Sequence, residues 1–168
     1  EPAKSNPKNR EAAPILVANE LITLFDDAKA AILIVAAYLI PTPDLEGAVQ
    51  RALDRGVRLR ILTNSIGSNN QLTAHSAYRN HIKTLLEGGV ELHEVRTDAR
   101  DRYMLTPIGR KKLEGDLQAE NAWSLELQEN GSVYWVSADR TLESQPATSF
   151  MQRIEDGFFS HLPIESAL

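Results

Sequence analysis

The chain has 168 residues, with 18 Lys and Arg against 23 Asp and Glu, a net charge of −5 and 42% hydrophobic residues. That length fits one compact domain rather than two, and the apolar share supports an ordinary core, which excludes an intrinsically disordered chain. The acidic balance disfavours a nucleic-acid coat, while the absence of cysteine removes thiol catalysis, thiolate zinc sites and disulfides and leaves the compartment open.

Residues 1–11 read as a polar leader, and residues 12–168 as a single α/β lobe. Glu1 stands where a start methionine would, and no apolar signal core follows it, so the chain reads as a fragment. Val17, Leu21, Leu24, Phe25 and Ala28 recur at helical spacing. The apolar run Ala30 to Ile40 is eleven residues, short of the roughly 20 that a spanning helix needs, and its β-branched part predicts a buried strand. Thr42-Pro43-Asp44 supplies an N-cap, a proline at N1 and a first-turn acid, and Leu45, Ala48, Val49, Ala52 and Leu53 make one stripe that ends at Gly56.

Val57, Leu59, Ile61 and Leu62 predict the next strand, residues 64–70 (NSIGSNN) a loop, and Tyr78, Ile82, Leu85 and Leu86 the apolar face of a helix stopped by Gly88-Gly89. Residues 90–95 (VELHEV) predict a third strand. Strand, helix, strand, helix, strand implies right-handed crossovers, hence an α/β fold with a mainly parallel sheet flanked by helices. Residues 96–112 are rich in arginine and lysine and break the pattern. Beyond them, Asn130-Gly131 predicts a two-residue hairpin loop that pairs Leu127 with Tyr134 and Leu125 with Val136 as the inner face, and leaves Trp135 opposite Glu126 on the outer one. Phe150, Ile154, Phe158 and Leu162 then predict a closing C-terminal helix over residues 147–162.

In open α/β sheets, ligands bind beyond the carboxyl ends of the strands, which here deliver Tyr38, Asn64 and Ser65, with Asn70 and His75 just downstream. The loop at 64–70 opens a helix whose backbone amides can hold an oxyanion. Asn, Ser and Gly are also ordinary turn residues, so position rather than composition carries this reading. His75 shares a helical stripe with Tyr78 and faces inward, whereas His93 and His161 read as structural or solvent-facing. No HExxH, P-loop, GxGxxG or GxSxG occurs, and neither a metal nor any other cofactor is called for.

Residues 34–41 (IVAAYLIP), 55–63 (RGVRLRILT) with Asn64-Ser65, Tyr78, 85–94 (LLEGGVELHE), 122–125 (AWSL) and 162–166 (LPIES) together resemble the phospholipase D superfamily, in particular its cardiolipin-synthase-like bacterial members. The resemblance covers nearly the whole chain and implies the second of two similar lobes. In that family each lobe contributes an HxKxxxxD motif, one histidine attacking phosphorus and the other protonating the leaving alcohol. The only HxK here is His81-Ile82-Lys83, whose aspartate position is Gly88 and whose helical setting turns the two side chains apart, so no catalytic residue is assigned in this chain. The resemblance breaks between Leu105 and Thr106 and resumes at 111–121. A segment of several tens of residues is missing there, either omitted or deleted. Omission is favoured, because deleting a central strand would strip the sheet of partners.

The resemblance implies a phosphatidyltransferase or phosphodiesterase that works through a phosphohistidine, with phosphatidylglycerol as the acceptor alcohol. Tyr38, Asn64, Ser65, Asn70, His75 and Tyr78 would supply the headgroup side of its pocket. The partners are then a phospholipid headgroup or other phosphodiester, an N-terminal lobe of the same fold or a second copy, and a membrane surface for the parent protein. A bacterial protein at the inner membrane, or a soluble one, follows. Two alternatives stay open: a non-catalytic phosphate- or lipid-binding lobe, and part of a nuclease. Arg96, Arg100, Arg102, Arg110, Lys111 and Lys112 would be the nuclease's only dense basic groove, and the acidic balance makes nucleic acid the lesser expectation.

Overall fold

A computed structural model describes residues 18–69, 71–98 and 121–147, together with Leu117 and Ile154. The polar leader, Asn70, Arg100 to Lys112, the junction at 105–106 and His161 lie outside the described residues. So does the expected C-terminal helix apart from Ala147 and Ile154, the latter helical and 49% exposed.

Residues 18–27 are helical (α1). They lead into β1 (Ala31–Ala36), α2 (Pro43–Asp54), β2 (Arg58–Asn64), α3 (Leu72–Glu87) and β3 (Glu91–Val95). β4 (Ala122–Leu127), β5 (Val133–Val136) and β6 (Thr141–Leu142) complete one six-stranded sheet whose spatial order is the chain order. β1, β2 and β3 pair in parallel, and β4 to β6 continue antiparallel, so the sheet is mixed with its parallel part first. β3 pairs directly with β4, Glu94 facing Trp123 and Val95 facing Ala122.

The start of α2 follows its sequence signals. Thr42 is the N-cap and its hydroxyl accepts from the Leu45 amide, with Pro43 behind it and Asp44 and Glu46 in the first turn. Gly56 ends the turn at φ +77°, a conformation that costs other residues a Cβ clash. Two successive right-handed crossovers in one direction place α2 and α3 on the same face of the sheet. There Ala48, Val49, Ala52, Tyr78, Ile82 and Leu85 meet Leu59, Ile61, Leu92, Trp123, Leu125 and Trp135 in one buried cluster. α1 joins it through Phe25. The Arg51 guanidinium grips Asp26 with two bonds of 2.9 and 3.0 Å, and Arg55 donates to the Phe25 carbonyl. His81 Nδ1 lies 2.6 Å from Glu46 Oε1 and so joins α3 to α2, which gives the lone HxK match a helix-bridging role.

Two expectations are corrected. β1 is not fully buried: Ile32 to Ala36 are half-buried and Ala31 is exposed, because among the described residues β1 is the sheet edge and has a neighbour on one side only. The hairpin is also one residue out of the expected register. Leu127 pairs with Val133, Leu125 with Trp135 and Glu126 with Tyr134. The connection is a three-residue loop: the Gly131 amide closes a turn onto the Gln128 carbonyl, the Gln128 amide donates to the Ser132 carbonyl, and Gly131 sits at φ +79°. A one-residue shift exchanges the two faces of a strand, so Trp135 turns inward and Tyr134 outward.

Candidate functional site

The carboxyl ends of the parallel strands carry the predicted loop. β2 ends on Asn64, and Ser65 beyond it is buried, its hydroxyl donating to the Val95 carbonyl at 2.8 Å. Ser68 closes this corner, with its Oγ 3.2 Å from Ser65 Oγ and 3.3 Å from Asn64 Oδ1. Asn64 and Ser65 are therefore held together, as their adjacency suggested. Tyr38 leaves β1 at the same end of the sheet and is 43% exposed. α3 begins at Gln71 with no side-chain cap bond and no acid in its first turn, in contrast to α2.

His75 and Tyr78 form a second group, on the inner side of α3. Both are buried, and their rings meet edge to face at a centroid distance of 5.8 Å. Below them lies a residue that sequence reasoning passed over. Glu94 of β3 is 0% exposed, and its Oε2 accepts the Trp135 indole N–H at 2.9 Å. The Tyr78 hydroxyl faces the same carboxylate. Burial, and then the charge of Glu94, push Tyr78 well above the ordinary phenol range. The signal was present in the strand's alternation, since Glu94 is in phase with the buried Leu92 and Val90. Trp135 also lines a groove of about 380 Å3 between α3 and the last two strands, beside Arg79, Ile82, Lys83, Val133 and Glu143.

Where β3 ends, two arginines lie against one tryptophan. The guanidinium carbons of Arg96 and Arg140 lie 4.9 and 5.2 Å from the Trp123 ring centre. Arg96 bonds both oxygens of Asp98 and both of Asp139, and Arg140 also pairs with Asp98. Arg96 is thus taken up by a network that pins the exit of β3 to the turn before β6, rather than standing free in a basic groove. The Arg96 guanidinium, then the Ser137 hydroxyl, hold Asp139 down to about 2, and Arg96 lowers Asp98 as well. A carboxylate whose folded pKa is depressed adds stability above its unfolded value near 4 and loses it as pH falls through the folded one. The thermal midpoint of wild type should therefore exceed that of Asp139→Asn at pH 6, and the gap should close between about pH 4 and pH 2. A gap independent of pH would remove the network from the stability of this corner.

Among the described residues, no helix is long and apolar enough to cross a membrane. A family model described as cardiolipin synthase, PLD-like domain, matches residues 21–106, just over half of the chain. The chain is 24% identical to cardiolipin synthase C of Escherichia coli over 222 aligned residues, which cover 98% of this chain and 46% of that protein. Two uncharacterized proteins from two strains of Helicobacter pylori are each 28% identical over 92 residues, covering 55% of this chain and 18% of theirs. The chain thus spans less than half the length of the curated relatives it matches. No solved structure matches it significantly.

Proposed function

This chain belongs to the cardiolipin synthase, phospholipase-D-like domain family, and from that premise we propose that it is the C-terminal lobe of a phosphatidyltransferase of that type. In the whole protein the reaction would be a double displacement. A histidine nitrogen attacks phosphorus and expels an alcohol, and a second alcohol, the acceptor, then displaces the histidine. Neither histidine is assigned here, since His81 and Lys83 lie on α3 and Gly88 fills the motif's last position.

The observation that carries the reading is an aligned length of 222 residues, which exceeds the 168 of this chain by 54. Within the aligned span the relative thus has at least 54 residues with no counterpart here. The family match also stops at residue 106, next to the break at Leu105 and Thr106. On this reading the HxKxxxxD strand belongs to the segment omitted there. The chain's own part is the headgroup side of the pocket: Tyr38, Asn64 and Ser65 at the strand ends, together with Asn70, and His75 and Tyr78 supporting them from α3. A membrane surface and an N-terminal lobe of the same fold are the partners it calls for.

One observation favours the second reading, a lobe that binds phosphate or lipid without turnover. β3 pairs directly with β4, so the sheet is continuous without any further strand. Peptide mapping of the protein purified from its own cells separates the two. The transferase reading expects extra peptides between Leu105 and Thr106. A single peptide running uninterrupted across that junction would overturn it and leave the binding lobe, for which phosphatidylglycerol is bound and no cardiolipin is formed.

A further inference from the structure

The sheet face turned away from α1, α2 and α3 sets charged and polar residues among apolar ones, with Leu62 and Ala122 buried on it. Along it, register places Arg58, Arg60, Leu62 and Asn64 of β2 beside Glu91, His93 and Val95 of β3, and Ser124 of β4 beside His93. Glu91 is the cross-strand partner of Arg60, yet both of its oxygens are held by Arg58, at 2.6 and 2.9 Å. Arg60 Nε and both ring nitrogens of His93 are buried with no hydrogen-bond partner. Three such atoms on adjacent strands are unusual, because a buried donor without an acceptor has lost water and gained nothing. His93 also sits below the ordinary imidazole range, through burial first, with Arg60 and Arg58 adding to the effect against the pull of Glu91.

We propose that Arg60 and His93, with the Ser124 hydroxyl beside them, form a binding site for a small oxyanion, carried as free phosphate or on a phosphodiester headgroup. The guanidinium offers an N–H and a positive charge that no carboxylate within ion-pair distance takes up among the described residues. The neutral imidazole offers one N–H, and Ser124 lies directly across the ladder from it. An oxyanion would satisfy the orphaned donors together, whereas a cation would meet the Arg60 charge. The site is separate from the loop at Asn64 and Ser65, and it stands whether or not the lobe is catalytic.

The test is a titration of the full chain, followed through the imidazole resonances, with His93→Gln used to assign His93. One arm uses inorganic phosphate and the other dihexanoylphosphatidylglycerol below its micelle concentration. The expected result is a saturable shift of His93 in at least one arm, with the His81 signal unmoved, and binding at least about tenfold weaker in Arg60→Gln, which is about 1.4 kcal/mol. A response to both probes makes the oxyanion itself the ligand, and a response to the lipid alone makes it the headgroup. No shift of His93 in either arm, or an equal shift in Arg60→Gln, would overturn the site. Asn64→Ala serves as the control: loss of the His93 shift in that variant but not in Arg60→Gln would move the binding to the loop and likewise overturn the proposal.

Discussion

Trp123→Ala should remove about 3–5 kcal/mol of folding stability, a large part of the 5–15 kcal/mol that a domain of this kind possesses. The ring is 1% exposed and belongs to the buried cluster, so its loss opens a cavity in the middle of the sheet. It also deprives Arg96 and Arg140 of the aromatic ring that both guanidinium groups approach, and Arg96 is itself buried. Urea unfolding should show the midpoint falling with an unchanged slope. Trp123→Phe keeps an aromatic face and should lose less. An unaltered midpoint for Trp123→Ala would mean that the ring does not organise the junction of β3 and β4.

Glu94→Ala should come next in size and differ in kind from Glu94→Gln. Alanine leaves the Trp135 indole N–H without its acceptor inside the core, which costs about 1–3 kcal/mol, and the cavity adds to that. Glutamine retains an acceptor oxygen and removes a buried charge, so its stability should lie close to wild type or above it. If Gln is as damaging as Ala, the negative charge rather than the hydrogen bond is what the cluster needs. The two outcomes separate in the same urea experiment. They bear on the proposed site as well, since Glu94 faces Tyr78, whose ring meets that of His75.

What could be read without coordinates was whatever depends on near neighbours in the chain. Thr42, Pro43 and Gly56 each act through groups within a few residues, and the structure has α2 where they mark it. The apolar stripe of α3 works the same way, and the inward setting of His75 and Tyr78 follows from it. The edge position of β1 was not legible, because whether an apolar strand has one neighbour or two is decided elsewhere in the chain. The hairpin register failed for a local reason. Asn130-Gly131 serves a two-residue and a three-residue loop alike, each with a left-handed glycine, and what marks the longer loop is Asn130, which is not left-handed here. That single residue moved Trp135 inward, and with it the partner of Glu94. A buried carboxylate and an indole 41 positions apart could not be joined from sequence, although the phase of Glu94 with Leu92 was a signal, not taken up, that it lies inside. The candidate loop was legible by position alone, as the place where strands end.

A sheet whose spatial order repeats its chain order can be assembled as the polypeptide leaves the ribosome, each strand docking onto the one made just before it. At every stage the growing margin is the newest strand and the standing margin is β1. Among the described strands, the half-covered Ile32 to Ala36 therefore keep one side unmatched while β2 to β6 are added, which leaves them open to pairing with another nascent chain. The interval between β3 and β4 is as long as that between β2 and β3, and during it three parallel strands stand alone with Glu94 still lacking its indole. A chaperone that shields strand margins would act in that interval, which lasts as long as the whole segment between Val95 and Ala122, any part omitted at Leu105 and Thr106 included, takes to be made.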